Sequence, residues 1–499
     1  MRQSESTGWG AAVLLAAVWA AGPLLPPMLA GDIPGSPYTD LYPSLWGLGW
    51  FAQQQPGLPT FTTALAAPGG MPFYYASPLH GWAGTPLFQI GGAAVAYTAT
   101  LLLARFATVA VTFGALRAGG LGATGALAGA AVYGASPFFH GFAVEGIVEG
   151  SDGWPLPLWA WMVWRDRRGP AALALALAVV ASWYHGVVVC LLAFGWGFGR
   201  RTAWWSLAGL ILTVPFVAGF VHAAQGATPL PAAIRRAMGA SLGWQDSAFL
   251  NNPPFGNPFA KSTWLGFIAP ALAVGGLVAG RRRPGWGLAL AACAVLSLGW
   301  GPLYALPVLD HLRFPYRWHA GTLFALAVLA GAGADRLGRR IVAPLIVVEG
   351  LLLSPIEPVL PGSPADVPSI YDHVTGPVLL EIPGPVALPA GTVNPSRPRA
   401  RYLLYYQLHH GAGSPWAPDF NGIAATPAAA WLAAFAAWDP VVDTAIGPLD
   451  LDAARADGVT QVMVHRKELR QSAAGFEQAL VRAGGHLLLA EGDLALYGL

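Results

Sequence analysis

Long apolar stretches recur through the first 355 residues of this sequence, and they constrain the fold more than any other feature. A helix needs about 20 apolar residues to cross the hydrocarbon core of a bilayer. Only 10% of the 499 residues are charged, whereas soluble domains contain about 25%. The sequence therefore predicts a polytopic α-helical membrane protein. Its apolar runs fall near residues 9–30, 86–116, 119–137, 152–164, 170–199, 203–222, 263–280, 286–306, 319–334 and 341–355.

Basic residues between these runs predict the orientation of the helices, because cytoplasmic loops are enriched in Lys and Arg. Four basic stretches are assigned to the cytoplasmic side: 164–168, 199–201, 280–283 and 335–340. The 170–199 run has such a stretch at both ends, so we divide it into two short helices that turn at 182–186. This gives about 11 transmembrane helices with a cytoplasmic N-terminus. The predicted outer loops then hold Asp32, Asp40, Glu145, Glu149, Asp152, Asp246 and Asp310.

The composition changes after about residue 355, where Pro and acidic residues become frequent. Strands are predicted there at 376–384 and 458–467, helices at 427–438 and 469–485, and a closing strand pair at 486–499. The predicted organisation is a transmembrane domain, 1–355, with a long first outer loop, 31–83, followed by a small extracytoplasmic α/β domain, 356–499.

Asp40 lies just after the first apolar run, at the start of an aromatic-rich segment, 41–53. This segment is suited to a helix that lies in the membrane interface, with its Trp residues at the level of the lipid headgroups. Asp40 would then occupy the N-cap of that helix and bind free backbone N–H groups. A carboxylate at a helix start is also well oriented for catalysis, so the residues alone leave a structural and a catalytic role open.

A second acidic patch contains Glu145 and Glu149, which are four residues apart, so a helix would place them on one face. Two neighbouring carboxylates are costly unless they share a proton, a cation or a substrate. The stretch is either a solvated loop or, together with His140, a metal site. Carboxylate-rich sites suit Mg²⁺ or Mn²⁺, so a divalent cation is the candidate cofactor.

Residues 310–319 bring two arginines, Arg313 and Arg317, to the predicted outer side, against the positive-inside tendency. Arginine binds phosphate through a planar pair of hydrogen bonds, so this stretch predicts a phosphate site. The alternative is that the two arginines neutralise Asp310 and nearby acids. Lys261 is a further basic candidate for the same site.

Two charged residues, Arg105 and Glu349, lie inside predicted transmembrane runs. A charge in lipid is costly unless it is paired or faces a cavity. They could line a lipid cleft or join neighbouring helices.

Several short motifs occur in an order that resembles the GT-C glycosyltransferases, and more distantly the protein O-mannosyltransferases and the lipid A aminoarabinose transferases. The acid and aromatic residues after the first helix are followed by "SPFFHG", "ASWYHG", "NNPPFG" with "STWLG", "LRFPYRW", "VLLEIP" and "YYQLHHG". The resemblance implies a polyprenyl-phosphate-linked sugar donor, an active site on the outer face and a catalytic acid in the first outer loop. The position that matches this acid is Asp40. The loop lacks the adjacent pair of acids that several GT-C members carry.

The implied reaction transfers a sugar from a polyprenyl phosphate to a hydroxyl of a glycan, lipid or protein acceptor at the bacterial cytoplasmic membrane. Asp40 and Glu149 are the candidate catalytic acids, and Arg313, Arg317 and Lys261 would bind the donor phosphate. Membrane lipid is an expected partner, and nucleic acid is not, because the sequence has no basic block. The alternatives are a transporter or flippase of a lipid-linked substrate, which would have polar residues along a transmembrane path, and a non-catalytic envelope-assembly protein.

Overall fold

The computed structural model divides the chain into two units. The first contains residues 1–36, 76–216 and 235–364, and the second contains residues 37–75, 217–234 and 365–499. Two of the predicted phosphate ligands, Lys261 and Arg313, lie outside the residues that the structure describes. The described residues are 2–37, 40–75, 77–195, 199–225, 228–229, 264–278, 284–297, 315–384, 402–416, 423–424, 431–439 and 446–499.

The first unit is built almost entirely of helices. Its only regular strands in the described residues are a short antiparallel pair, Ile33–Pro34 with Gly362–Ser363. The helix Val214–Gln225 begins in the first unit and ends in the second. The helices of the first unit are Arg2–Ala21, Leu25–Leu29, Pro78–Ala118, Ala123–Gly134, Pro137–Val144, Val148–Ser151, Pro155–Trp164, Arg168–Ala181, Trp183–Gly195, Gly199–Leu212, Ile268–Val278, Pro284–Ser297, the 3-10 turn Pro315–Trp318, His319–Leu337 and Val342–Leu353.

Two of the described helices, Pro78–Ala118 and Tyr316–Leu337, are long and apolar enough to cross a membrane. A third span exists if the bent pair Trp204–Leu212 and Val214–Ala223, which meets at 48°, is counted as one. Several other apolar helices are only 10–17 residues long. The structure therefore supports a helical membrane protein, while the predicted number of about 11 spans is not shown by the described helices.

Breaks in the backbone explain why several predicted spans are shorter than expected. The helix Pro78–Ala118 is interrupted at Gly91 and Gly92, and Gly92 has a φ of 74°, a conformation that glycine adopts at little cost. The predicted division of the 170–199 run is confirmed, because Ser182 is extended between two helices. Gly186 of the second helix packs on the backbone of Val179 of the first, so the chain bends sharply at this point.

The helix His319–Leu337, called the central helix below, packs against two neighbours through glycines. A Cβ atom added to Gly129 would lie 2.7 Å from the Ala327 carbonyl oxygen. Gly276 likewise approaches the Leu329 carbonyl oxygen, closer than a side chain would permit. Small residues that let helix backbones approach are the usual basis of helix packing in membranes. The core of the first unit therefore depends on the absence of side chains at these positions.

Carboxylates from the ends of two helices cap the starts of two others. Asp335 accepts hydrogen bonds from the backbone N–H groups of Gly122 and Gly125, at 2.5 and 2.6 Å. Glu349 accepts them from Phe267 and Ile268, at 2.7 and 3.2 Å. Free N–H groups and the helix dipole both favour an anion at a helix start. Glu349 therefore joins helices, which is one of the two roles that the sequence allowed.

The second unit contains a four-stranded sheet made of β1 (Val378–Ile382), β2 (Val459–His465), β3 (His486–Glu491) and β4 (Leu494–Gly498). The strand order is β1-β2-β4-β3, in which β1 and β2 are parallel and the other pairs are antiparallel. All five residues of β1 are buried, as expected for a parallel strand covered on both faces. These strands agree with the segments predicted from the sequence.

Short helices and strand pairs complete the second unit. The predicted C-terminal helix is present as Ala473–Arg482, and its buried Phe476 and Leu480 face the core with Phe435. The remaining helices are Leu41–Gln53, the 3-10 turn Ser369–His373, Tyr402–His410, Leu432–Ala436, Leu451–Ala456, Arg466–Leu469 and the 3-10 turn Arg470–Ser472. The strand pairs are Phe61–Thr62 with Met71–Pro72 and Thr228–Pro229 with Ile423–Ala424.

The aromatic helix Leu41–Gln53 has the bounds expected from the sequence, but its Trp side chains are buried within the protein rather than exposed to lipid headgroups. Trp46 is only 1% exposed, and Trp50 only 3%. The indole Nε1 of Trp46 donates to the side-chain oxygen of Gln407 at 2.8 Å, and both Trp rings pack edge-on against Phe73. A helix that is apolar on all sides is normally buried, and this one is held within the second unit.

Candidate functional site

A buried polar cluster lies in the first unit, formed by His80, Glu149, Asp152, His185 and Arg317. Its members come from four stretches that are distant in sequence: the start of Pro78–Ala118, the 148–152 region, the start of Trp183–Gly195 and the 3-10 turn before the central helix. Glu149 and Arg317 were predicted as site residues, and the other three were not. Buried charges persist only when partners or ligands compensate them.

Arg317 and Glu149 meet as an ion pair across 168 positions of sequence. The guanidinium Nη2 lies 3.4 Å from the carboxylate Oε1, and the two side chains are only 11% and 22% exposed. The guanidinium also lies over the ring of Tyr184, 4.7 Å from its centroid, and over Phe142 at 5.4 Å. Cation–π contacts with the two rings hold the guanidinium in place. The structure thus brings two of the predicted site residues into contact.

The expectation that Glu145 and Glu149 share one helix face is wrong. The helix Pro137–Val144 ends before Glu145, and Gly146 has a φ of 72°, which interrupts the helix before Val148 begins the next one. Glu145 is nonetheless buried and lies within electrostatic range of Tyr316, the neighbour of Arg317.

The metal site predicted from His140, Glu145 and Glu149 does not form. The Nε2 atom of His140 lies 2.7 Å from the Glu357 carbonyl oxygen, and its Nδ1 lies 3.3 Å from Nη1 of Arg105. Both ring nitrogens are therefore engaged by the protein. Within the ranges that the structure describes, no group of three or more His, Cys, Asp or Glu residues is placed to hold a metal ion.

His140 and Arg105 are hydrogen-bonded to each other, and each also donates to a backbone carbonyl. Burial, and then the Arg105 charge, lower the pKa of His140 to about 3. The neutral ring donates from Nε2 to the Glu357 carbonyl and accepts at Nδ1 from the guanidinium. Arg105 also donates to the Trp19 carbonyl at 3.0 Å. Arg105 is 3% exposed and therefore joins helices rather than lining an open lipid cleft.

His80 and Asp152 form a second buried pair, which is continuous with Ser77. The His80 Nδ1 lies 2.6 Å from the Ser77 hydroxyl, which donates to the Ala181 carbonyl at 2.9 Å. The His80 Nε2 lies 3.1 Å from Oδ2 of Asp152. Because the Ser77 proton is used toward Ala181, the hydroxyl accepts from Nδ1–H of His80.

The two carboxylate oxygens of Asp152 differ in their contacts. Its Oδ1 accepts a hydrogen bond from the indole Nε1 of Trp154 at 3.2 Å. Its Oδ2 is at ion-pair distance from His80, but the approach lies outside hydrogen-bond geometry, so this buried oxygen has no hydrogen-bond partner in the described structure. Ser77 and His80 lie outside every predicted site, although their spacing of three at a helix start is a signal that such side chains meet.

His185 completes the cluster from the "SWYHG" motif. It is 4% exposed and lies within electrostatic range of Asp152, Arg317 and His80. Its Nδ1 atom is buried and has no hydrogen-bond partner among the described residues.

Asp40 belongs to the second unit and stands at the N-cap of Leu41–Gln53. Its side chain makes no capping hydrogen bond, and its backbone carbonyl accepts from the Ser44 N–H at 2.9 Å. The structural role that the sequence allowed, a side-chain cap, is therefore not observed. The catalytic role of Asp40 stays a prediction.

The fold has counterparts among solved structures. No protein-family model matches the chain, and no curated protein matches it in sequence. Two structures of the arabinofuranosyltransferase AftD from Mycobacteria match 97% of this chain, with TM-scores of 0.56 and 0.58 at 16% and 15% sequence identity. The chain spans only 40% and 41% of those AftD chains. The apo structure of ArnT from Cupriavidus metallidurans matches 99% of this chain and 98% of its own, with a TM-score of 0.45 at 12% identity.

The match to AftD runs through almost the whole chain. It agrees with the resemblance noted in the order of the sequence motifs, which is thereby confirmed at the level of fold. The chain therefore has the fold of the GT-C glycosyltransferases, which are multi-pass membrane proteins.

Proposed function

We propose that the chain is a membrane glycosyltransferase that moves a sugar from a polyprenyl-phosphate donor to an acceptor hydroxyl. The observation that carries the proposal is the buried Arg317–Glu149 pair in a GT-C fold. A cation held in a site of low polarity stabilises a departing phosphate more strongly than one in water.

The geometry of the pair suits a phosphate ligand. The recorded contact joins one guanidinium nitrogen to one carboxylate oxygen at 3.4 Å, which is long for a charge-assisted hydrogen bond. A phosphate presents two oxygens to the planar guanidinium and would form the stronger, bidentate pair. The rings of Tyr184 and Phe142 would keep the guanidinium in place during that exchange.

Two carboxylates are assigned to the acceptor side of the reaction. Asp40 is the proposed general base, on the resemblance of the first outer loop to that of the GT-C enzymes. Glu149 is the second candidate base, and it becomes available once phosphate has engaged Arg317. The acceptor is a hydroxyl of a glycan, lipid or protein, and its attack requires a base close to the reacting oxygen.

We place the protein in the bacterial cytoplasmic membrane, with about 11 spans and a cytoplasmic N-terminus. The basic loops support this orientation, since Arg167, Arg168, Arg339 and Arg340 are all exposed at helix ends. Residues 356–499 would then be extracytoplasmic, and the polar cluster would face the outer side.

Binding of undecaprenyl phosphate to the purified protein tests the role of Arg317. We expect Arg317→Gln to weaken binding about 10- to 100-fold, because a charge-assisted bidentate contact contributes about 1.5–3 kcal/mol. Arg317→Lys keeps the charge and should lose less. Arg168→Gln removes an arginine from an exposed ion pair and is the matched control. Unchanged binding by a folded Arg317→Gln protein would overturn the assignment.

Turnover of a polyprenyl-phosphate sugar separates the proposed function from its rivals. Transfer releases free polyprenyl phosphate, and Asp40→Asn should abolish this release while Asp32→Asn leaves it nearly intact. Movement of the intact lipid-linked sugar between leaflets, without release, would instead identify a flippase. Binding with neither outcome would support a non-catalytic assembly protein.

A further inference from the structure

We infer that Asp152 and His185 form a subsite beside Arg317 that recognises hydroxyl groups of the donor sugar, with His80 and Ser77 as positioning residues. The inference rests on the proposed function, because it needs a phosphate-linked sugar at Arg317. It is carried by two buried polar atoms that lack hydrogen-bond partners among the described residues, the Oδ2 of Asp152 and the Nδ1 of His185.

The burial of these two atoms points to a ligand. Asp152 is 1% exposed and His185 is 4% exposed. Buried polar groups are nearly always hydrogen-bonded, and each exception requires an explanation. His185 is within electrostatic range of both Asp152 and Arg317, so it links the Asp152 carboxylate to the proposed phosphate position.

The charges of Arg317 and Asp152 indicate where the phosphate and the sugar of the donor would bind. A carboxylate repels a phosphate, so the phosphate belongs at Arg317. Asp152 Oδ2 is an acceptor and requires a donor, which a neutral sugar hydroxyl supplies through a charge-assisted hydrogen bond. The imidazole Nδ1 of His185 can accept from, or donate to, a second hydroxyl. The cluster thus combines a cation for phosphate with two partners for an uncharged polyol.

A chain of two hydrogen bonds and one ion-pair contact fixes the direction of the Asp152 carboxylate. It runs from the Ala181 carbonyl through the Ser77 hydroxyl and the His80 ring to Oδ2. The indole of Trp154 holds the other oxygen. Ala181 ends the helix that precedes the Ser182 break, one turn before His185, so the chain connects the two sides of the subsite.

The test compares binding of undecaprenyl phosphate with binding of a panel of undecaprenyl-phosphate pentoses and hexoses. The wild-type protein should bind at least one glycosylated member more tightly than the bare lipid. Asp152→Asn should reduce that preference at least tenfold, because a site that lacks its hydroxyl partner discriminates poorly. The affinity of the variant for undecaprenyl phosphate should stay within about twofold of wild type. Asp166→Asn changes an exposed carboxylate and is the matched control.

Variants of the positioning residues provide a readout that a purely structural role would not change. Ser77→Ala and His80→Gln should lower the preference for the glycosylated lipid about three- to tenfold, with bare-lipid affinity and melting temperature retained. His185→Gln should behave like Asp152→Asn.

The inference is wrong if no sugar on the panel improves binding to the wild-type protein. It is also wrong if Asp152→Asn weakens both ligands equally, or if it lowers only the melting temperature. Each of these results leaves the role of Arg317 intact, because that role is measured on the bare lipid. Conversely, an Arg317→Gln protein that still binds undecaprenyl phosphate would remove the proposed function itself.

Discussion

Single residues show how this chain tolerates charge in an apolar environment. Glu349 is recognisable in the sequence as a residue that needs a partner, because an unpaired carboxylate in lipid is costly. Its partners, the N–H groups of Phe267 and Ile268, are not recognisable, because they belong to the backbone of a helix more than 80 positions away. The sequence thus indicates that such a residue is satisfied, but not by what.

The buried neutral ring of His140 predicts a dependence of stability on pH. The folded-state pKa of about 3 lies below the value of about 6.5 in the unfolded chain. The unfolded chain therefore binds the additional proton first, and stability falls as pH decreases below about 6.5. We expect His140→Gln to remove about 1–2 kcal/mol of the stability loss between pH 7 and pH 5.

Chemical unfolding at several pH values measures this effect. His486→Gln replaces an exposed histidine and should leave the pH dependence unchanged. An equal pH slope for wild type and His140→Gln would show that His140 is not the group responsible.

At the scale of elements, the sequence predicts regular segments well and their packing poorly. The four strands of the sheet and the bounds of Leu41–Gln53 agree with the predictions, because alternation and aromatic composition are local signals. The burial of Leu41–Gln53 was missed, since it depends on Gln407 and Phe73. Helix breaks such as Gly91–Gly92 were also missed, because glycine in an apolar run is compatible with an unbroken helix.

The close contact of Gly276 with the central helix predicts the effect of a substitution there, and the adjacent Gly275 is a control. A Cβ added at Gly276 would overlap the Leu329 carbonyl oxygen, whereas one added at Gly275 has its nearest neighbour, the Gly333 Cα, at 4.0 Å. We expect Gly276→Ala to destabilise the protein by about 1–3 kcal/mol, because the helices must separate. Gly275→Ala should be neutral or slightly stabilising, since alanine favours helix more than glycine does.

Unfolding in mixed micelles would measure both glycine variants. Equal stabilities for the two would mean that the helices accommodate a methyl group at Gly276, and that their close approach does not stabilise the fold.

At the scale of the whole molecule, the sequence predicts what kind of protein this is better than where its site lies. The apolar runs and the motif order indicated the fold, which the match to AftD supports. Glu149 and Arg317 were both singled out because each is an unusual charge at a predicted outer helix end, and the structure brings them into contact. Asp152 and His80 were not paired, because their contact joins the second outer stretch to the start of Pro78–Ala118.

The proposed topology predicts the accessibility of two exposed side chains. In a protein whose Cys190 and Cys293 have been replaced, a cysteine at Lys467 should react with an impermeant thiol reagent added outside intact cells. A cysteine at Arg339 should react only after the membrane is permeabilised. Both positions are exposed, so burial would not mask the difference. The opposite pattern would invert the topology and move the polar cluster to the cytoplasmic side.

The central helix also determines the depth of the proposed site. Arg317 stands at its start, and Asp335, which caps Ala123–Gly134, stands near its end. The two residues are 18 positions apart and are therefore separated along the helix by about 27 Å, close to the hydrocarbon thickness of a bilayer of about 30 Å. One inserted residue would move the guanidinium by about 1.5 Å and rotate it by about 100°, away from Glu149. Length variation among natural relatives should therefore collect in the loops and spare this helix.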